Sequence, residues 1–281
     1  MCGICGCESV AVDHDRGHDR PHEHVDASGR RFTHAHDHAR DHARDHRRHL
    51  DAVTPQRDRV TVDLETRVLE KNDSIASDTR AWFLAHDILA LNLVSSPGSG
   101  KTTLLVRTVT DLLASRPIYV VEGDQETSRD AELIRETGAP AVQLNTGTGC
   151  HLDAAMVAHG ITELSPQDGG LVLIENVGNL VCPAMFDLGE RAKVAILSVT
   201  EGDDKPLKYP HMFRAAELLL VNKIDLLPYV DFNVLAAIAH ARQVNPELTV
   251  LCVSARTGEG MPAWYAWIER QVSRGRVPML A

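Results

Sequence analysis

Nine residues, Ser95-Ser96-Pro97-Gly98-Ser99-Gly100-Lys101-Thr102-Thr103, have the types and spacing to hold a polyphosphate. They match G-x-x-x-x-G-K-[ST] with one departure, Ser95 in place of the first Gly. Backbone N–H groups of this loop would wrap an anion at the start of a helix, where the helix dipole also favours negative charge. Lys101 would reach the β- and γ-phosphates, and the Thr102 hydroxyl would meet a Mg²⁺ ion.

A second element selects the base. Leu219-Leu220-Val221 runs into Asn222-Lys223-Ile224-Asp225, an N-K-x-D pattern. Guanine shows two donors on its N1/N2 edge, and the Asp225 carboxylate can accept both. Asn222 would hold the other polar edge of the base or the loop itself, and the Lys223 stem would pack on the ring. Downstream, Ser254-Ala255-Arg256 offers the Ala255 amide to guanine O6. The order of P-loop, N-K-x-D and Ser-Ala-Arg, each expected after a strand, points to GTP and GDP rather than adenine nucleotides. Two acids complete the phosphate side: Asp124 and Glu175 are the candidates to hold Mg²⁺, directly or through water. Gly178, three residues after Glu175, places an amide where it could sense the γ-phosphate. No convincing activating Gln or Arg accompanies them, so slow intrinsic hydrolysis is expected.

Soft metal ligands occur in two places. Cys150 and His151 are expected to open the helix after the third strand of the domain, and Cys182 lies four residues past Gly178. Thiolate, imidazole and thiolate suit Zn²⁺ or Ni²⁺ and leave the shell open to water or a second subunit. A loop that moves on γ-phosphate loss would carry one of these ligands, so nucleotide state could change metal affinity. Cys252, flanked by Leu251 and Val253, reads as core. At the N-terminus, Cys2, Cys5 and Cys7 place three thiolates within reach of one ion, with the Cys2 amine as a fourth donor if Met1 is removed. Ten of the fifteen histidines fall between His14 and His49, among them His34, His36, His38, His42 and His46. In a helix His38, His42 and His46 would share one face, and this tract is expected to bind Ni²⁺ or Zn²⁺ with low selectivity.

The elements that must position these groups follow from the hydrophobic pattern. Residues 1–59 are few in large apolar side chains and rich in charge, and are expected to be a disordered metal-binding tail; 60–281 is expected to be the nucleotide-binding domain. From Val60 one or two amphipathic helices are predicted. Then come strands at 88–94, 117–122, 141–144, 171–175, 193–200, 217–222 and 249–253, with helices near 127–137, 151–160, 231–243 and 261–273. Strands alternating with helices predict an α/β fold with a mostly parallel sheet covered on both faces. Its ligands should sit at the C-terminal ends of the strands.

The net charge of −10 over 281 residues argues against a nucleic-acid partner. No run is long and apolar enough for a membrane span and no signal peptide is evident, so a cytoplasmic location is expected.

In these combined features the chain resembles the HypB family, the nickel-incorporation GTPases of hydrogenase maturation, within the SIMIBI class of P-loop NTPases. The resemblance rests on C-x-x-C-G-C at Cys2–Cys7, the His-rich insert, the P-loop, Glu122–Gln125, Glu175–Pro183 and Asn222–Asp225. It implies GTP-dependent homodimerisation and nickel delivery to [NiFe] hydrogenase, with a hydrogenase accessory protein and the large-subunit precursor as partners. It further implies that Cys150, His151 and Cys182 form a metal site at the dimer interface, and that the N-terminal cysteines form a tighter nickel site. Lys208 would reach the partner's nucleotide, and the His tract would store nickel. The urease accessory GTPase is the nearest alternative, but it lacks C-x-x-C-x-C and carries Cys-Pro-His where this chain has Cys182-Pro183-Ala184. A metal-storage protein with a structural NTPase domain is an alternative of another class. A small-molecule kinase would not need N-K-x-D.

Overall fold

Strands that are apolar on both faces are stable only inside a covered sheet, and the seven central strands of this chain are arranged that way. The computed structural model describes the backbone of residues 22–25, 31–34, 55–124, 129–147 and 149–275. Side chains are described within those spans from Thr66 to Arg274, Asp124 excepted. The chain divides into two compact units, Cys7–Arg67 and a larger one built on Val68–Ala281.

In the smaller unit β1 (His22–Val25) and β2 (Arg31–His34) pair antiparallel, His22 opposite His34 and Val25 opposite Arg31. The sequence pattern had suggested no element there. Helix α1 (Pro55–Ala85) is one continuous 31-residue helix, and the division expected at residue 60 lies within it. It contains no Gly, and Pro55 stands at its first position, where a missing N–H costs nothing.

The larger unit holds β3 (Leu89–Ser95), α2 (Lys101–Leu112), β4 (Ile118–Asp124), α3 (Arg129–Arg135), β5 (Ala141–Asn145), α4 (Ala154–Leu164) and β6 (Leu171–Glu175). The second half adds α5 (Cys182–Met185), β7 (Ala192–Ser198), α6 (Lys205–Lys208), α7 (Pro210–Ala215) and β8 (Leu218–Asn222). A 3₁₀ turn over Ile224–Tyr229, α8 (Val234–Val244), β9 (Thr249–Cys252) and α9 (Met261–Gly275) complete it. The sheet order is β5-β4-β6-β3-β7-β8-β9, and every pairing is parallel. The expected α/β fold is therefore present.

Register sets the site. β4 and β6 pair with Glu122 opposite Glu175, and β3 pairs with β6 with Leu93 opposite Glu175. Both acids thus arrive at the C-terminal edge of the sheet, beside the turn that follows β3. One face of the sheet packs under α2 and α9, through Leu104, Leu105, Val109, Trp264 and Ile268. On the other, Phe83 of α1 and Val157 and Ile161 of α4 meet Ala90, Val121, Val172 and Ile174.

Trp264 is fully buried, and its Nε1 donates to Thr108 Oγ1 at 3.0 Å, joining α9 to α2. Trp264→Phe removes that bond and part of the ring. It is expected to lower stability by about 1–3 kcal/mol, read as a shift of the urea midpoint at unchanged slope.

Candidate functional site

The turn after β3 reverses through two left-handed glycines, Gly98 (φ 73°) and Gly100 (φ 87°). Gly100 has a second constraint: a Cβ there would lie 2.8 Å from Asn222 Nδ2. The turn lines a cavity of about 800 Å³ together with Lys101, Thr102, Glu122, Asp130, Glu175 and Gly178. Inside it Glu175, only 2% exposed, accepts at Oε1 from Lys101 Nζ (3.1 Å) and from Thr102 Oγ1 (2.8 Å). Its other oxygen, Oε2, is buried with no hydrogen-bond partner among the described residues. Asp130 Oδ2 stands 3.0 Å from the same Thr102 hydroxyl, whose single proton cannot serve both acids. Carboxylate oxygens crowded around one hydroxyl, one of them unsatisfied, fit a divalent cation bound beside phosphate.

A smaller cavity of about 270 Å³ adjoins, and Gly100, Thr103 and Lys223 line both. Asn222 (1% exposed) donates from Nδ2 to Ser99 O at 3.0 Å and accepts at Oδ1 from the Ala255 amide at 3.3 Å. It therefore clamps the P-loop to the loop after β9. Of the two roles open to Asn222, this is the loop-holding one, and the Ala255 amide offered to guanine O6 is engaged by Asn222 here. Lys223, in left-handed conformation (φ 62°), donates to Gly98 O at 2.7 Å. Ser254 Oγ donates to Asp225 Oδ1 at 2.6 Å, fixing the carboxylate at the pocket wall.

A third group of side chains is Cys150, His151 and Cys182. One donor atom each from Cys150, His151 and Cys182 falls within 4.8 Å of the others. The two sulfurs are 2.9 Å apart, and Cys150 Sγ is 3.6 Å from His151 Nδ1. Two thiolates on one tetrahedral ion at about 2.3 Å stand roughly 3.7 Å apart, so binding requires the sulfurs to part by a bond-rotation distance. Burial pushes the His151 pKa down against the opposing charge of Asp153, which favours the neutral, ligating imidazole. The ring also packs on Phe186, centroids 4.0 Å apart. Cys150 and His151 do not open a helix as expected. Asp153 accepts from the Met156 amide at 2.8 Å and caps α4 there, which leaves Cys150 and His151 in the preceding loop.

Two contacts join the cavities to the cluster. Gly178 abuts the P-loop so closely that a Cβ would lie 3.1 Å from Pro97. The next residue, Asn179, accepts at Oδ1 from the Val181 amide (2.8 Å) and donates from Nδ2 to Cys150 O (3.4 Å).

Residues 89–252 match the family model described as CobW/HypB/UreG, nucleotide-binding domain. The hydrogenase maturation factor HypB of Azotobacter vinelandii is 64% identical over 74% of this chain and 69% of its own length. That of Cupriavidus necator is 46% identical over 95% of this chain and 88% of its own. The chain belongs to the HypB family of hydrogenase maturation factors. The solved structure of Helicobacter pylori HypB in complex with nickel superposes with a TM-score of 0.68 at 34% identity, covering 75% of this chain and 99% of that one.

Pro97, Ser99, Lys101, Thr102, Thr103, Glu175 and Gly178 line the larger cavity, and Thr103, Asn222, Lys223 and Asp225 line the smaller one. Arg256 lines the base pocket with Ala255. Asp124 ends β4, but its side chain lies outside the described residues, as do Cys2, Cys5, Cys7, His36, His38, His42, His46 and the side chain of His34. Lys208 is exposed and pairs with Asp204 at 2.7 Å. Cys252 is half-buried rather than enclosed, because β9 is an edge strand. Two site residues were missed: Asp130, and Lys205, whose Nζ donates to Ser96 Oγ at 3.0 Å. No helix among the described residues is long and apolar enough to cross a membrane.

Proposed function

We propose that this protein is a nickel-handling GTPase that hydrolyses GTP to GDP and phosphate, and whose nucleotide state sets how Cys150, His151 and Cys182 hold a metal ion. Its service is nickel insertion into [NiFe] hydrogenase, with a hydrogenase accessory protein and the large-subunit precursor as partners. Delivery takes place in the cytoplasm by a homodimer in which Lys208 reaches the partner's nucleotide. Ni²⁺ is the cargo, and Zn²⁺ suits the same soft donors. Cys2, Cys5, Cys7 and the histidine tract of residues 1–59 supply a further nickel site and a store.

In hydrolysis the P-loop amides and Lys101 hold the β- and γ-phosphates. Bound Mg²⁺, held by Thr102 with Glu175 and Asp124 or Asp130, would supply charge neutralisation at the transferred phosphoryl group. Glu175 orients both Lys101 and Thr102, and Asp225 reads the guanine N1/N2 edge.

The observation that supports coupling is the short path from Pro97 through Gly178 and Asn179 to Cys150 and Cys182. A Gly178 displaced by γ-phosphate would pull Asn179 and alter the separation of the sulfurs. The test uses the full chain carrying Cys2→Ala, Cys5→Ala and Cys7→Ala, so that the thiolate-to-Ni²⁺ charge-transfer band reports the Cys150/Cys182 site. Ni²⁺ affinity is expected to differ about tenfold between GDP and a non-hydrolysable GTP analogue, a coupling of roughly 1.4 kcal/mol. Equal affinities would sink nucleotide gating and leave GTP acting through dimerisation or partner docking.

A further inference from the structure

We propose that Asn72 of α1 is a positioning residue of the Cys150–His151–Cys182 site, holding its two ligand-bearing segments in register. This rests on the reading of that cluster as a metal site. Asn72 is buried (6% exposed), unlike most polar residues on this helix. Its Oδ1 accepts from the Ala154 amide at 2.9 Å, and its Nδ2 donates to Asp187 O at 2.8 Å. Ala154 is three residues past His151, and Asp187 five past Cys182. One side-chain amide, 82 and 115 residues away in sequence from its two partners, therefore joins the start of α4 to the loop after α5, next to the segments that carry the ligands.

The local geometry explains why such a joint is needed. Ala154 opens α4, and its amide has no partner within the helix. Asp153 already serves Met156, so Asn72 satisfies the Ala154 donor from outside. On the other loop, Arg80 bonds both Asp187 carboxylate oxygens, and Lys193 Nζ donates to Phe186 O at 2.9 Å. The loop is thus held at residues 186 and 187, next to the ring that packs on His151. Leu152, between His151 and Ala154, is fixed separately by donation to Asn176 Oδ1 at 3.2 Å. Without Asn72, each loop keeps its own anchors but loses the direct tie to the other through α1. Partners that orient metal ligands from the next layer out commonly affect metal affinity about 10–100-fold.

The experiment uses the full chain in the Cys2→Ala, Cys5→Ala, Cys7→Ala background and Ni²⁺ alone as probe, titrated against a chelator and read by the thiolate charge-transfer band. Asn72→Ala is expected to weaken Ni²⁺ binding about 10–100-fold while GDP affinity stays within about twofold. Asn72→Asp keeps the acceptor for Ala154 but sets a carboxylate against Asp187 O. It should lie between wild type and Asn72→Ala in Ni²⁺ affinity, and it keeps the proposal testable if Asn72→Ala does not fold. Unchanged Ni²⁺ affinity in a folded variant overturns the positioning role. So does a parallel loss of Ni²⁺ and GDP binding, which would mark general loosening. Cys182→Ala, measured alongside, separates the premises: if it leaves the band intact, the metal-site reading fails before Asn72 is in question.

Discussion

Replacing Lys101 by Met is expected to lower the rate of GTP hydrolysis at saturating nucleotide by about 10³-fold or more, an increase in barrier of roughly 4 kcal/mol. Lys101 is largely buried, with 11% of its side chain exposed, and shares the phosphate cavity with two or more carboxylates. In such a site the charge growing on the transferred phosphoryl oxygens has little water to screen it, and Lys101 is the cation nearest to hand. Met keeps most of the stem volume, so packing around the loop changes little. The substitution does remove the partner of Glu175, which would then be buried beside Thr102 without its counter-charge. Urea unfolding of the Lys101→Met variant, measured beside the rate, separates loss of stability from loss of hydrolysis. Phosphate release in a single turnover, with protein in excess over GTP, is the measurement. A loss under tenfold would remove Lys101 from the phosphate-binding role.

The framework was legible because its signals are periodic or fixed in spacing. Residues 89–94, interrupted only by Asn92, and residues 218–221 are apolar runs that only a doubly covered strand can bury, and the P-loop and N-K-x-D each follow one directly. Residues whose role depends on distant backbone were not legible. Asp130 reads as an acid in the first turn of a helix, a common dipole-favoured placement, and nothing local shows that it meets Thr102. Asn72 reads as one polar position on an amphipathic helix until Ala154 and Asp187 are brought to it. Asp153 caps α4, so the helix starts later than its apolar pattern suggests, and the candidate ligands Cys150 and His151 fall in the loop before it. Lys205 and Lys208 lie one turn apart on a four-residue helix, yet one reaches Ser96 of the P-loop and the other pairs with exposed Asp204. Spacing cannot distinguish them, because only the direction in which the short helix leaves β7 decides which lysine faces the nucleotide end of the sheet.

Asp225→Asn should exchange guanine for xanthine as the favoured base. In the proposed role the carboxylate accepts from both the N1–H and the 2-amino group of guanine, whereas an amide offers one acceptor and one donor. Hydrogen bonds to a charged group contribute about 1.5–3 kcal/mol each, so losing one or both lowers GTP affinity by about 10–10⁴-fold. Xanthine carries a carbonyl in place of the 2-amino group, so its N1–H donates to the Asn oxygen and its O2 accepts from the Asn nitrogen. Ser254 makes the exchange cleaner than an unrestrained side chain would. Its hydroxyl donates to Oδ1 of residue 225 at 2.6 Å, which in the variant keeps the amide oxygen at that position, where its second lone pair accepts from the xanthine N1–H, and leaves Nδ2 for O2. Competition of GTP and xanthosine triphosphate against a fluorescent GDP should therefore show GTP weakened and the xanthine nucleotide strengthened. Adding Ser254→Ala should blunt the second effect more than the first, because it frees the amide to flip. GTP affinity unchanged by Asp225→Asn would move base recognition away from the pocket that Asn222, Asp225 and Ala255 enclose.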